Sequence, residues 1–504
     1  MRGSRTLMNR RGFLRLTGAG VVTSLFTPAS SRTDATGLSG RKQPNIILIM
    51  SDDVSCDLYG CYGNNKVNTP NLDRMAREGV MFRTCWASAL CAPTRAMIMT
   101  GRYGNRTGCY HNNLQMPQKD GSNDLLKFHH SFGRLLKQAG YATAIAGKWH
   151  CSSTRPESPE GGFDEYCLWE GVREIEDLPG RPEFTGAWED RTNQTTTSRY
   201  WHPGIIKNHR LLKTKPSDFG PDIFTDFICD FIERKKDQPF LVYYPMVAPH
   251  GTREGHTTTP LRGMVAEMAR ADSTETRERF EALNEYIDVL VGRIQKKVKD
   301  LGLADRTIIF YCSDNGTAVT AKSRAVERGC RVPMVISGAE IKKRGATDEI
   351  TDLSDILPTL VDFAGAKIPA GYEVDGKSLR PFLVGKTDTH REWIYSVIGT
   401  SQLVRTKRYL LEAVNPILGL PRGRQYDCGR SRDGRGYRRI TQSALPPKIH
   451  KIFDEVLRRY PPLRKNHSYF KTKRGKRFLD EYTQPSAVEK HLHNHKDFSF
   501  YEEY

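Results

Sequence analysis

Between residues 44 and 365, short apolar runs alternate with stretches whose apolar residues recur at helical spacing. Residues 45–50 (N-I-I-L-I-M) are apolar without alternation. That is the pattern of a strand covered on both faces, and hence of a parallel sheet. Residues 142–146, 239–247, 307–312 and 333–337 repeat it. Helix-entry residues and a closing glycine mark helices over 69–79 and 131–140. Helical periodicity predicts further helices over 221–236, 275–301 and 352–364; Leu283, Ile287, Leu290, Val291 and Ile294 form the apolar stripe of the longest. Strands alternating with helices predict an α/β fold: a large, mostly parallel sheet sandwiched by helices. After about residue 390 the pattern changes. Residues 393–398 and 402–411 read as short strands of a separate antiparallel sheet, and the rest of the tail reads as basic and irregular. The expected organisation is a leader and linker over 1–40, a main domain over 41–390, and a smaller C-terminal subdomain with a basic tail over 391–504.

Composition sharpens this picture in three places. The 504 residues are 38% hydrophobic and 27% charged, which fits a globular chain. The formal net charge is +19, and residues 421–504 hold twenty Lys and Arg against ten Asp and Glu. Such a surface attracts acidic glycans, anionic lipid or nucleic acid, or is simply solvated. At the N-terminus, Asn9-Arg10-Arg11-Gly12-Phe13-Leu14-Arg15 precedes a short, mildly apolar run over 16–26. Paired arginines in that setting predict a twin-arginine export signal. No later stretch runs 18 apolar residues, so no transmembrane segment is expected in the mature chain. The 11 cysteines include no C-x-x-C pair and no zinc-like spacing, and their pairing is open. Residues 170–220 are polar and aperiodic, and carry Arg181, Trp188, Arg191, Trp201, His202 and His209. They read first as a surface loop and second as a substrate-facing one.

Candidate chemistry follows the strands. Asp52-Asp53 comes directly after the first apolar run, and Asp314-Asn315 directly after another. Ligands of open α/β sheets bind at the carboxyl ends of strands. Adjacent carboxylates repel unless a cation lies between them, and these hard oxygen donors suit calcium or magnesium. Cys91-Ala92-Pro93-Thr94-Arg95, continuing to Thr100-Gly101-Arg102, and Gly140-Tyr141-Ala142-Thr143-Ala144-Ile145-Ala146-Gly147-Lys148-Trp149-His150 are the sharpest signals. Both resemble the two signatures of the type I, formylglycine-dependent sulfatases of the alkaline phosphatase superfamily. The likeness extends over most of 44–411. Pro249-His250 resembles a family motif, with Thr252 where proline is common. Lys322 stands nine residues before Arg331-Val332-Pro333, and Val326-Glu327-Arg328-Gly329 is a degraded form of the usual Tyr-Glu-Gly-Gly.

The resemblance implies a sulfatase that hydrolyses sulfate esters, with Cys91 converted to formylglycine as nucleophile and one Ca²⁺ per chain. It implies that Asp52, Asp53, Asp314 and Asn315, with residue 91, hold the calcium, and that Arg95 orients residue 91. Lys148 and Lys322 would bind sulfate oxygens, His250 would protonate the leaving oxygen, and His150 would act as base in product release. The expected partners are a sulfated carbohydrate or other sulfate ester, a formylglycine-generating maturation enzyme and the twin-arginine export machinery, with no nucleic acid. The expected location is exported, periplasmic or extracellular in a bacterium. Two other readings stay open: a phosphodiesterase or phosphonate monoester hydrolase of the same superfamily, and an inactive acidic-polysaccharide-binding protein.

Overall fold

A computed structural model describes residues 43–122, 124–170, 175, 197–251, 256–263, 274–317, 321–432 and 436–492. The expected leader over 1–40 lies outside the described residues, as do Arg181, Trp188 and Arg191.

Among the described residues, eleven strands form one sheet. They are β1 (Asn45–Ser51), β2 (Val80–Trp86), β5 (Ala142–Gly147), β6 (Glu165–Trp169), β7 (Ile205–Lys207), β8 (Arg210–Leu211), β9 (Phe240–Pro245), β10 (Thr307–Ser313), β11 (Arg331–Val332), β12 (Met334–Gly338) and β13 (Gly345–Asp352). A short hairpin, β3 (Cys109–His111) and β4 (Leu114–Gln115), lies outside it. The order is β11-β2-β12-β10-β1-β9-β5-β6-β7-β8, with β13 also on β2. The centre, β10-β1-β9-β5-β6, is parallel. Beyond it β12 and β7 turn antiparallel, so the sheet is mixed at its flanks. Those flanking strands are short or partly polar, which is why the apolar-run criterion passed over several of them.

The unbroken apolar runs are explained by two cores. Along β1, Ile46, Leu48 and Met50 pack into one, and Ile47 and Ile49 into the other. Along β10, Ile308, Phe310 and Cys312 face the first, and Ile309 and Tyr311 the second. With side chains alternating by two, both faces of the centre must be apolar. The longer helices that flank the sheet are α1 (Pro70–Glu78), α2 (Cys91–Thr100), α3 (Phe132–Gln138), α4 (Gly220–Arg234), α5 (Thr274–Asp300) and α6 (Ile356–Ala364). Residues of α2, α3 and α6 enter the first core, and residues of α1, α4 and α5 the second. Among the described residues no helix is long and apolar enough to cross a membrane.

Two local expectations shift. Asp352 ends β13 rather than beginning a helix: its carboxylate accepts from the Ser354 amide, Asp355 completes the reciprocal cap, and α6 starts at Ile356. The expected strand over 402–411 is two strands, β15 (Ser401–Thr406) and β16 (Tyr409–Val414), turning at Lys407-Arg408. With β14 (Trp393–Ile398), β17 (Arg424–Asp427) and β18 (Arg438–Ile440) they form a five-stranded antiparallel sheet. The tail is also more regular than its composition suggests. It contains α7 (Pro447–Arg459), α8 (Lys473–Tyr482) and α9 (Pro485–Leu492). The first two bury Ile452, Phe453, Val456, Phe478 and Tyr482.

Candidate active site

The site gathers at the carboxyl ends of the central parallel strands. β1 and β10 pair in register from Asn45↔Thr307 to Ser51↔Ser313. That register brings Asp52-Asp53 and Asp314-Asn315 off the sheet side by side. The Asp53 amide donates to Asp314 Oδ1 (3.1 Å), and Asn315 Nδ2 to Asp53 Oδ1 (2.7 Å). All four residues are buried. The neighbouring strands β9 and β5 deliver His250 and Lys148. Gly147 is needed where β5 ends: its φ is 113°, and a Cβ there would lie 2.1 Å from the Pro245 carbonyl oxygen.

Cys91 is the first residue of α2 and 2% exposed. Its position at a helix N-terminus favours negative charge in front of it. Arg95, one turn on, is fully buried. Its Nη2 meets Asp314 Oδ2 at 2.9 Å and Asp52 Oδ2 at 3.3 Å, and its Nη1 donates to the Lys148 carbonyl at 2.8 Å. The expected role of Arg95 was toward residue 91; in this structure its hydrogen bonds go to the acidic cluster and the Lys148 backbone. Lys148 Nζ lies 2.7 Å from Asp52 Oδ2. Lys322 Nζ lies 2.6 Å from Asp53 Oδ1. His250 Nε2 is 3.6 Å from Asp53 Oδ2, while its Nδ1 faces the Gly251 carbonyl at 2.5 Å. His150 is exposed and carries no side-chain hydrogen bond among the described residues. Asp53, His150 and Ser323, the neighbour of Lys322, all have positive φ (71°, 42° and 64°). Left-handed non-glycine residues store local strain and cluster at functional sites.

The charges explain the compactness. Burial opposes ionisation of Asp52, yet Lys148 and Arg95 hold its carboxyl well below the usual range. Burial pushes Asp53 and Asp314 up, and the Asp52 charge adds to it. Burial also opposes charge on Lys322, but Asp53 together with the other acidic groups of the cluster outweighs it and raises its pKa. Burial, then Lys322, keeps the His250 imidazole below its ordinary range.

The cluster fits a divalent cation. Asp52 Oδ1 and Asn315 Oδ1 are buried and receive no hydrogen bond, a cost of about 1–3 kcal/mol each if left so. Asp52, Asp53 and His250 each offer a ligand atom, all within 4.8 Å of one another. A hard cation would satisfy the orphaned oxygens and relieve the carboxylate repulsion that raises Asp53 and Asp314.

Asn112 was not foreseen. Its Oδ1 accepts from the Ala92 amide (3.2 Å), and its Nδ2 approaches Cys91 Sγ (3.5 Å). It sits in the turn between β3 and β4, 21 residues from Cys91, where no sequence pattern marks it. The far end of the 170–220 insert also reaches the site. Tyr200 Oη donates to the His250 carbonyl (2.8 Å), and the Trp201 indole to the Thr258 carbonyl (3.2 Å). His209 lies away from them, 3.8 Å from Glu157.

The C-terminal sheet holds the Lys322 loop. Glu327 accepts from Arg405 (2.7 Å) and from the Trp86 indole (3.1 Å), and its amide donates to Glu412 (3.1 Å). Arg405 is wholly buried and also bonds Tyr437 (2.6 Å).

The family model named Sulfatase matches residues 44–366. An N-acetylglucosamine-6-O-sulfatase of Bacteroides thetaiotaomicron is 27% identical over 446 residues, covering 70% of this chain and 73% of that protein. An N-acetylgalactosamine-6-sulfatase of Sus scrofa is 31% identical over 391 residues, covering 71% and 70%. The solved structure of Ps i-CgsB shares the fold, with a TM-score of 0.64 at 21% identity over 88% of this chain and 99% of that one. BT4656 in complex with D-glucosamine-2-N,6-O-disulfate does so at 0.61 and 23%, covering 83% and 98%. With both signatures meeting in one cleft and the family match spanning the sheet that builds it, the chain belongs to the sulfatase family and is a sulfuric ester hydrolase.

Proposed function

We propose that this protein is an exported, calcium-dependent carbohydrate sulfatase whose Cys91 is converted to formylglycine. One observation carries the reading: Cys91 at the head of α2 shares a buried cleft with three carboxylates, Asn315 and three cations. Relatives named for 6-sulfated amino sugars support the carbohydrate substrate.

Asp52, Asp53, Asp314 and Asn315, with residue 91, would hold the calcium. Bound there, it would neutralise charge on the ester and acidify a hydroxyl of the hydrated residue 91, the nucleophile. The chain's own groups do the rest. Three cations face three carboxylates in the cleft, so a divalent ion leaves it positive and selects an anionic ester. Lys148 and Lys322, at the rim of the acidic cluster, bind sulfate oxygens. Arg95 fixes Asp52 and Asp314 and does not need to move. His250 donates a proton to the departing alkoxide oxygen. His150, open to the cleft, takes a proton from residue 91 during product release. Residues 391–504 act as a subdomain that braces the Lys322 loop through Arg405 and Glu327. The leader is read by the twin-arginine machinery after a maturation enzyme has modified the unfolded chain.

The test is sulfate release from a panel of 6-sulfated amino sugars, beside matched 4-nitrophenyl sulfate and phosphate esters. Peptide mass spectrometry across residue 91 accompanies it. Sulfate release by protein carrying the aldehyde mass at residue 91 is expected. Full activity with an unmodified thiol, or faster turnover of the phosphate ester, would overturn it.

A further inference from the structure

The basic tail has no role in the chemistry above, yet the fold sets it against the cleft. Residues 456–479 contain nine Lys and Arg and no Asp or Glu. Lys471, Lys473, Arg474 and Lys476 are exposed and form no ion pair among the described residues. The last three lie on α8, whose buried face anchors them, and Lys471 lies in the turn just before it. Phe478 packs edge-on against His111 with centroids 5.8 Å apart, and Tyr482 stacks on Phe478 at 5.0 Å. His111 adjoins Asn112, whose amide lies 3.5 Å from Cys91 Sγ. Arg474 stands one helical turn before Phe478 on the same side of α8.

Just upstream, the same segment walls a cleft of about 480 Å³ lined by Asn105, Arg106, Tyr110, Arg459, Arg464 and His467. Arg106 is engaged by Glu373 and Asp375, and Arg459 approaches Asp375 at 3.9 Å. Arg464 has no such partner among the described residues. Tyr110 is two residues from Asn112, roughly 7 Å along the strand. Cleft and ridge therefore flank the hairpin whose turn touches the nucleophile.

We propose that residues 459–477 form a track for a polyanionic glycan chain, binding anionic groups beyond the sulfate being cleaved. Unpaired cations beside an active site raise local substrate concentration and capture rate. The proposal rests on the carbohydrate-sulfatase reading and names its substrate as a multiply charged chain rather than an isolated monosulfated sugar.

The experiment uses dextran sulfate as a competitive inhibitor of 4-nitrophenyl sulfate hydrolysis by the matured protein, and retention of the same protein on immobilised heparin. The variant combines Lys471→Ala, Lys473→Ala, Arg474→Ala and Lys476→Ala. A control combines Lys213→Ala, Lys215→Ala, Lys236→Ala and Lys299→Ala, which removes the same charge elsewhere. The inhibition constant is expected to rise about tenfold or more in the first variant, with earlier elution from heparin and little change in the control. Arg474→Glu alone should move both readouts the same way. An unchanged inhibition constant, an equal shift in the control, or stronger competition by duplex DNA than by dextran sulfate would each overturn the track. Absence of turnover on every sulfate ester would instead overturn the sulfatase reading. Heparin retention would then still decide the track.

Discussion

Arg95 donates from Nη1 to the backbone carbonyl of Lys148 at 2.8 Å, joining the two sequence signatures directly. Its other nitrogen spans Asp52 and Asp314. One side chain thus ties α2 to the ends of β5, β1 and β10. Removing it leaves buried Asp314 without its cation and Asp52 with Lys148 alone. Arg95→Ala is expected to lower stability by about 3–5 kcal/mol, read from urea unfolding of the chelated protein. Asp314→Asn in the Arg95→Ala background should recover part of that loss, because it removes the charge left uncompensated. A strictly additive double mutant would show that the pair is not coupled.

Metal binding should be visible apart from turnover. Calcium at 100 times its dissociation constant would stabilise the protein by about 2.7 kcal/mol. Chelation is therefore expected to lower the melting temperature, and Asp52→Asn should abolish that difference. Equal melting curves with and without chelator would exclude a structural contribution from the ion.

His250→Ala should hurt poor leaving groups more than good ones. Protonating a departing sugar alkoxide is worth roughly 10²–10⁴-fold, whereas a nitrophenolate barely needs it. The comparison is kcat on a sugar sulfate against kcat on 4-nitrophenyl sulfate. Losses of the same size on both would remove the acid role.

Asn112→Ala should reduce kcat by about tenfold, the cost of losing a hydrogen bond worth about 1–1.5 kcal/mol. KM should change less, because Asn112 touches residue 91 and the head of α2. Peptide masses should show residue 91 modified to the same extent as in the parent protein. If the variant instead lacks the modification, Asn112 acts in maturation rather than in positioning.

Glu412 sets a pH window for stability. It is fully buried on β16 of the C-terminal sheet, and burial raises its pKa from the ordinary 4.5 to about 7. A carboxyl raised in the folded state contributes stability that is complete below about 4.5 and is lost as pH rises through about 7. The loss amounts to about 3 kcal/mol. Glu412→Gln should flatten that part of the stability curve, measured by urea unfolding between pH 4 and 8. The same slope in both proteins would assign it to other groups.

Much of this protein was legible along the chain. Unbroken apolar runs at 46–50 and 308–312 announced strands covered on both faces, because two cores demand apolar residues at every one of these positions. The cysteine and lysine signatures, with the two acidic pairs after those runs, named the candidate residues, since their chemistry depends on local spacing. Other features had no local signal. The mixed flanks of the sheet come from short strands that gain their partners only on folding. The tail helices were hidden because a basic composition masks an apolar stripe of few residues. Asn112 beside Cys91, Arg95 beneath Lys148, and the cationic ridge beside the hairpin are separated by 21, 53 and several hundred residues. Residue type and spacing determined which groups this sequence could use. Only the register of β1 on β10 and the packing of the tail on His111 decided which of them meet, because electrostatics and hydrogen bonds act over a few ångströms of space.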